Sequence, residues 1–311
     1  MMSTLFSSMT IDGTDLELLA LDALGASRKT VNPFLDLAVD QRQHQALVAK
    51  AARTKQHYEK EVLALLRTIN YTRTGQAVFA AIRRQSPAFT IVIKPFIIDS
   101  YLQKLIEDLK ARLKESPGLL EDHYKSLIRK YQEEALADSP NATAGPDGRG
   151  NEPQRRGREG RRENSLVRFT PAQWTYNPIN PVLGIGIPFF GPGSDPDEVL
   201  LHELVHALRF TAGLSKKDHR VPFQKQYDNK EEFFAILITN IYRSECGRRN
   251  RRSGHDAYFW GKSADTEAFL DEGVNRLHVR QLRRQQPLLF NDLNNVNAPF
   301  NPLRNFRDAR G

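Results

Sequence analysis

His202, Glu203 and His206 stand in the order His-Glu-x-x-His. In a helix, side chains four positions apart share a face, so the two imidazoles would converge on one point with a carboxylate beside the first. Two histidines so spaced suit a zinc ion, and the glutamate between them suits a general base acting on the water that such an ion activates. The motif is short and arises by chance, so its neighbours decide its weight. A catalytic zinc needs a third protein ligand and leaves a fourth position open.

The elements that must position these residues are legible. Asp195 is a good N-cap, Pro196 fits the first helical position, Asp197 and Glu198 suit the positive end of the helix dipole, and Gly213 is a natural stop, so a helix is expected over 195–213. Leu200, Leu201, Leu204, Val205 and Leu208 make much of its surface apolar, which predicts a buried helix with one polar face. A second buried helix is expected over 227–242, with Glu231 and Glu232 in its first turn. Either glutamate supplies the missing ligand. Glu232 is the better choice because it directly precedes the Phe233-Phe234-Ala235 run that would anchor it, and Glu231 is the alternative. His219, between the helices, sits among Lys216, Lys217 and Arg220, whose charge would oppose a bound cation. A donor for the oxyanion of a tetrahedral intermediate is sought among Tyr227, Tyr242, His255 and Tyr258, which qualify by chemistry alone.

The chain has 311 residues, 40% apolar content, a formal charge of +8 and a single cysteine, Cys246. That is enough to bury a sizeable core, and one thiol allows no intramolecular disulfide. No apolar run approaches the ~20 residues of a membrane-spanning helix, and the start lacks the pattern of a cleaved signal, which leaves export without cleavage open. Helices are expected over 15–24, 36–69, 77–84, 99–114, 119–137 and 266–286, and strands over 89–94 and 165–169. Thr72 or Thr74 caps the helix at 77–84, and Gly75 serves close packing or the turn. Residues 181–188 suit an edge strand, where an extended peptide would add by main-chain hydrogen bonds.

Residues 138–164 read as a disordered insertion carrying Arg149, Arg155, Arg156, Arg158, Arg161 and Arg162. It reads as a solvated loop ahead of a nucleic-acid contact, because no aromatic residue is interleaved for base stacking. A second basic cluster, Arg248-Arg249-Asn250-Arg251-Arg252, is expected on a loop, and the chain from Leu289 onward is expected to wrap the surface or fray. The resulting division is a helical region over 1–60, a main domain over 61–290 and a tail over 291–311.

His202-Glu203-Leu204-Val205-His206-Ala207, the later Glu231-Glu232-Phe233-Phe234-Ala235 with Thr239-Asn240, and Thr72-Arg73-Thr74-Gly75 beside a strand together resemble the zincin metallopeptidase effectors of bacterial type III and type VI secretion systems. The resemblance covers about residues 60–260. It implies an α+β, mainly helical zincin-like domain with a small mixed or antiparallel sheet. Its gluzincin-like site would take His202, His206 and the Glu232 position as Zn2+ ligands and Glu203 as base. It also implies a secreted endopeptidase with a protein substrate and, as partners, secretion machinery, a chaperone or an immunity protein. The alternative is a basic protein that binds nucleic acid or an anionic surface and holds a structural zinc.

Overall fold

The computed structural model describes residues 8–14, 55–85, 89–95, 108–113, 123–125, 127, 142–146, 164–169, 171, 176–177, 187–188, 195–215, 227, 230–248, 250–252, 258–259 and 265–307. The expected helix over 15–24, much of those over 36–69, 99–114 and 119–137, and all six arginines of the insertion lie outside the described residues. The described parts of the three longer segments, 55–69, 108–113 and 123–125 with 127, are helical.

Four strands form the main sheet: β1 (Met9–Ile11), β2 (Ile91–Pro95), β3 (Ala142–Pro146) and β4 (Ser165–Phe169), in the spatial order β1-β2-β4-β3. β1, β2 and β4 are parallel, with Ile91 opposite Met9 and Ser165, while β3 runs antiparallel along the outer side of β4. The sheet is therefore mixed, with parallel pairing dominant. Ile91 and Ile93 on β2, and Val167 and Phe169 on β4, are buried, whereas Val92 and Arg168 between them are not. This period-2 pattern turns one face to the core.

β3 corrects the reading of 138–164 as wholly disordered. Its sequence, Ala-Thr-Ala-Gly-Pro, has no apolar alternation, so its strand form comes from the hydrogen-bonding edge of β4 rather than from its own side chains. The edge strand expected at 181–188 is reduced to β6 (Ile187–Pro188), which pairs with β5 (Tyr176–Asn177) in a separate two-stranded piece. Among the described residues, β3 forms the edge of the main sheet beyond β4.

Helices pack on this sheet. α1 covers 55–70 and α2 spans Arg73–Gln85. Thr72 Oγ1 accepts from Gly75 N at 2.9 Å, the N-cap bond, and the carboxylate of Glu245 accepts from Arg73 N, Thr74 N and Thr74 Oγ1 at 2.6–2.9 Å. Gly75 is required: a Cβ there would stand 2.0 Å from the Ile69 carbonyl oxygen. The Thr-x-Thr-Gly piece is thus a helix start pinned by a distant carboxylate.

α3 (Pro196–Thr211) and α4 (Lys230–Glu245) lie side by side, and α3 runs beneath β3 and β4. Leu200, Leu201, Leu204, Val205 and Leu208 are all fully buried, each worth about 1.5–3 kcal/mol of hydrophobic stabilisation. Both helices end alike. Leu214 N bonds Arg209 O past Gly213 at φ 69°, and Arg248 N bonds Arg243 O past Gly247 at φ 72°. A left-handed residue is what such a six-to-one closure needs, and glycine supplies it without a Cβ clash.

The segment expected as one helix over 266–286 is two, α5 (Thr266–Asp271) and α6 (Asn275–Gln285), broken at Gly273 with φ 53°. α7 (Pro287–Asn294) follows, and the chain after it packs inward instead of fraying. Leu289, Phe290, Leu293, Val296, Phe300 and Leu303 join the same apolar core as Ile93 and Leu204. Phe300 N donates to Ser244 Oγ at 2.7 Å, and Asn301 Nδ2 donates to the carbonyls of Leu293 and Val296, which explains how an Asn- and Pro-rich stretch holds a fixed path. At this coarse level the protein is α+β and mostly helical. Among the described residues no helix is long and apolar enough to cross a membrane.

Candidate metal centre

α3 and α4 bring three side chains to one point. His202 Nε2 stands 3.1 Å from Glu232 Oε2 and 3.1 Å from His206 Nε2, and His206 Nε2 stands 3.3 Å from Glu232 Oε1. Two ligand atoms about 2.0–2.1 Å from one tetrahedral ion lie about 3.3 Å apart, and the separation of the two imidazole nitrogens and the approach of one Glu232 oxygen to each ring are of that size. The donor set, two imidazole nitrogens and a carboxylate, suits a borderline divalent metal. His202, His206 and Glu232 are a group able to hold a metal ion.

Electrostatics at the cluster follow from burial and from the shared carboxylate. Burial pushes the His202 imidazole down to about 3; the hydrogen bond with Glu232 opposes this, and the nearby Arg252 and His206 add to it. For His206, burial again acts against the charged ring. The charges of Glu232, Glu203 and Glu231 together outweigh it and hold the ring above its usual value. Glu203 is buried beside His202 on α3, and its charge acts on His206, so the carboxylate belongs to the same site.

Glu231 takes a different part. It forms a two-point ion pair with Arg209 of α3, Nε to Oε2 at 2.5 Å and Nη2 to Oε1 at 3.1 Å. Gln285 and Gln286 accept from the same guanidinium, which also lies 3.9 Å above the Phe234 ring. Arg209 is 1% exposed and fully committed. The pair fixes the rotation of α4 against α3 and leaves the next residue, Glu232, to face the histidines. The structure thereby favours Glu232 of the two adjacent glutamates.

At the other end of α3 a second set of charges is paired, with Asp197, Glu198 and Arg243 buried. Asp195 makes no side-chain cap bond; its carboxylate pairs with Arg243 at 3.6 Å and Arg248 at 3.4 Å. Asp197 accepts from Arg248 at 2.7 Å and from the Tyr242 hydroxyl, and Glu198 pairs with Arg243. Burial, and then the Asp197 charge, raise the Tyr242 hydroxyl far above its usual value. Tyr242, a candidate oxyanion donor by chemistry, is occupied in this network. The described arginines of the basic run are engaged by the fold: Arg251 and Arg252 are buried in β7 (Arg251–Arg252), and Arg248 is engaged by Asp195 and Asp197. β7 pairs with β8 (Tyr258–Phe259), which is how this stretch departs from the loop expected for it.

Tyr227 packs edge-on against Phe233 at 5.2 Å, and its buried hydroxyl makes no hydrogen bond among the described residues; burial raises its pKa well above the usual value. His255 and His219 lie outside the described residues, and of Tyr258 only the backbone is described. Sequence reasoning missed Arg252, whose Nη1 lies 3.5 Å from His202 Nδ1. No short-range pattern marks it, because it reaches the histidine from β7. Cys246 is an exposed free thiol just past the end of α4. Comparison with protein-family models, with curated proteins and with solved structures finds no match.

Proposed function

We propose that this chain is a zinc-dependent endopeptidase acting on a protein substrate, with His202, His206 and Glu232 as metal ligands and Glu203 as general base. The observation that carries this reading is the convergence of two imidazole nitrogens 3.1 Å apart with a carboxylate that brings one oxygen within 3.3 Å of each, formed from two helices and flanked by a buried glutamate. Zn2+ in this set supplies a Lewis acid that acidifies water and polarises a carbonyl. Glu203 accepts a proton from the attacking water as the new C–O bond forms, and returns it to the amide nitrogen as the C–N bond breaks. The outer edge of β3 runs over α3 and bears main-chain donors and acceptors, and an extended peptide pairing there would be carried past the ligand cluster. Delivery as a secreted bacterial effector, with secretion machinery, a chaperone or an immunity protein as partners, is part of the same proposal and rests on the motif resemblance.

The reading as a basic nucleic-acid-binding protein loses one of its supports. Arg251 and Arg252 are buried, out of reach of a phosphate, and Arg248 is ion-paired with Asp195 and Asp197.

The test is paired. Glu203→Gln keeps one zinc per chain, measured by mass spectrometry, and lowers cleavage of a peptide library by about 10²-fold or more, as expected for loss of a general base. His202→Ala loses the metal and the activity together. Full activity in Glu203→Gln sinks the mechanism, and equal zinc in the wild type and in His202→Ala sinks the site.

A further inference from the structure

This inference rests on His202, His206 and Glu232 being metal ligands, and concerns what lies behind the first histidine. His202 turns Nε2 toward Glu232 and His206, while Nδ1 meets Arg252 Nη1 at 3.5 Å. Arg252 is placed from two sides. Asn240, fully buried on α4, donates to Arg252 O at 2.8 Å and accepts from Arg252 N at 2.7 Å. Glu198, fully buried in the first turn of α3, engages Arg243 through Oε2. Its other oxygen, Oε1, faces Arg252 Nη1 at 3.8 Å and makes no hydrogen bond among the described residues. Glu198 stands four residues before His202, so the two side chains are neighbours on one helix face.

A neutral imidazole that ligates through Nε2 carries its one N–H at Nδ1 and needs an acceptor there. A guanidinium has five donors and no acceptor, so Arg252 does not satisfy a liganded His202. The Oε1 atom of Glu198 is a buried acceptor whose capacity is unused. We propose that Glu198 is the positioning residue of the metal site: its Oε1 accepts the Nδ1–H of the liganded His202, and Arg252 covers that oxygen until metal is taken up. Arg252 is then a competitor of the metal, a fixed positive charge on the far side of a ligand ring. The short motif extends one turn upstream, to Glu198-x-x-x-His202-Glu203-x-x-His206.

The full chain, stripped of metal, is titrated with Zn2+ against a chromophoric chelator, and with Co2+ while its visible absorption is followed. Glu198→Gln lowers Zn2+ affinity by about 10- to 100-fold and alters the Co2+ spectrum, the size expected when a ligand histidine loses its carboxylate partner. Arg252→Met raises Zn2+ affinity by about threefold to tenfold, because a repelling charge is gone. Should Glu198→Gln fail to fold by circular dichroism, Arg252→Met decides alone. Weaker zinc binding in Arg252→Met, or unchanged affinity in a folded Glu198→Gln, overturns the assignment. Absence of zinc binding in the wild type overturns the metal reading beneath it, and the two failures are told apart by that one control.

Discussion

The flanks of α3 and its middle treat charge in opposite ways. At the flanks, carboxylates meet guanidinium groups: Glu231 with Arg209 near the C-terminal end, Asp195, Asp197 and Glu198 with Arg243 and Arg248 near the N-terminal end. In the middle, two imidazoles and a carboxylate crowd within 3.3 Å of one another. At the flanks each ion faces one of opposite charge, which makes its burial tolerable. The middle is a group of lone-pair donors that a divalent cation would complete. The adjacent residues Glu231 and Glu232 mark the border between scaffold and site.

That border is breakable. The largest effect is expected from Glu231→Gln, which strands the buried Arg209 charge and costs about 3–5 kcal/mol in chemical denaturation of the metal-free protein. Glu232→Gln is expected to cost less than Glu231→Gln in the same assay and to abolish stoichiometric zinc. Reversal of the two outcomes would exchange the roles of the glutamates. A smaller effect is expected at the far end of α4, where Glu245→Ala removes the acceptor for the first N–H groups of α2. It costs about 1–2 kcal/mol by the same denaturation assay, with zinc affinity unchanged. A parallel fall in affinity would mean that the scaffold and site do not separate.

The smallest effect concerns pH. His278 is buried against Phe233 and Phe234 with neither ring nitrogen hydrogen-bonded among the described residues, and burial, followed by the Lys230 charge, pulls it down to about 4. The fold holds the neutral ring, while the unfolded chain takes up a proton below the ordinary value of 6.5. Its contribution is therefore complete above pH 6.5 and is lost as pH falls from 6.5 toward 4. In the metal-free protein His202 acts with the same sign and His206 with the opposite one. The difference between the wild type and His278→Phe isolates this one residue: a shallower decline of the denaturation midpoint between pH 6.5 and 4 in the variant is expected, and parallel curves would remove His278 as a source of acid sensitivity.

What is legible in the sequence is what short-range patterns encode. The caps and apolar faces of α3 and α4 place both helices within a few residues, and β2 and β4 follow from alternation. The His-Glu-x-x-His spacing survives because a helix converts spacing directly into geometry. β3 is hidden because its strand form is imposed by β4, and the buried path of the tail because Asn301 and Ser244 fix it through bonds between distant segments. In one dimension Glu232 is favoured by its neighbour Phe233, yet the structure favours it through Arg209, a residue whose partner no local pattern reveals. Arg248, Arg251 and Arg252 look like a surface cluster in one dimension. Only the fold shows that Asp195, Asp197 and Glu198 engage Arg248 and Arg252, and that Arg251 is buried against the carbonyls of Arg248 and Asn250.

The sheet and the ligand cluster also differ in how far apart along the chain their parts lie. Thr10 pairs with Val92 and Ile93 with Val167, whereas His202 and Glu232 are separated by 30 positions and join two helices packed side by side. Closing a short loop costs less chain entropy than closing a long one, and contacts of short range form sooner. The ligand corner thus closes a shorter loop than the parallel strand pairs do. A metal captured there during refolding would act on a helix pair before those parallel strands are joined.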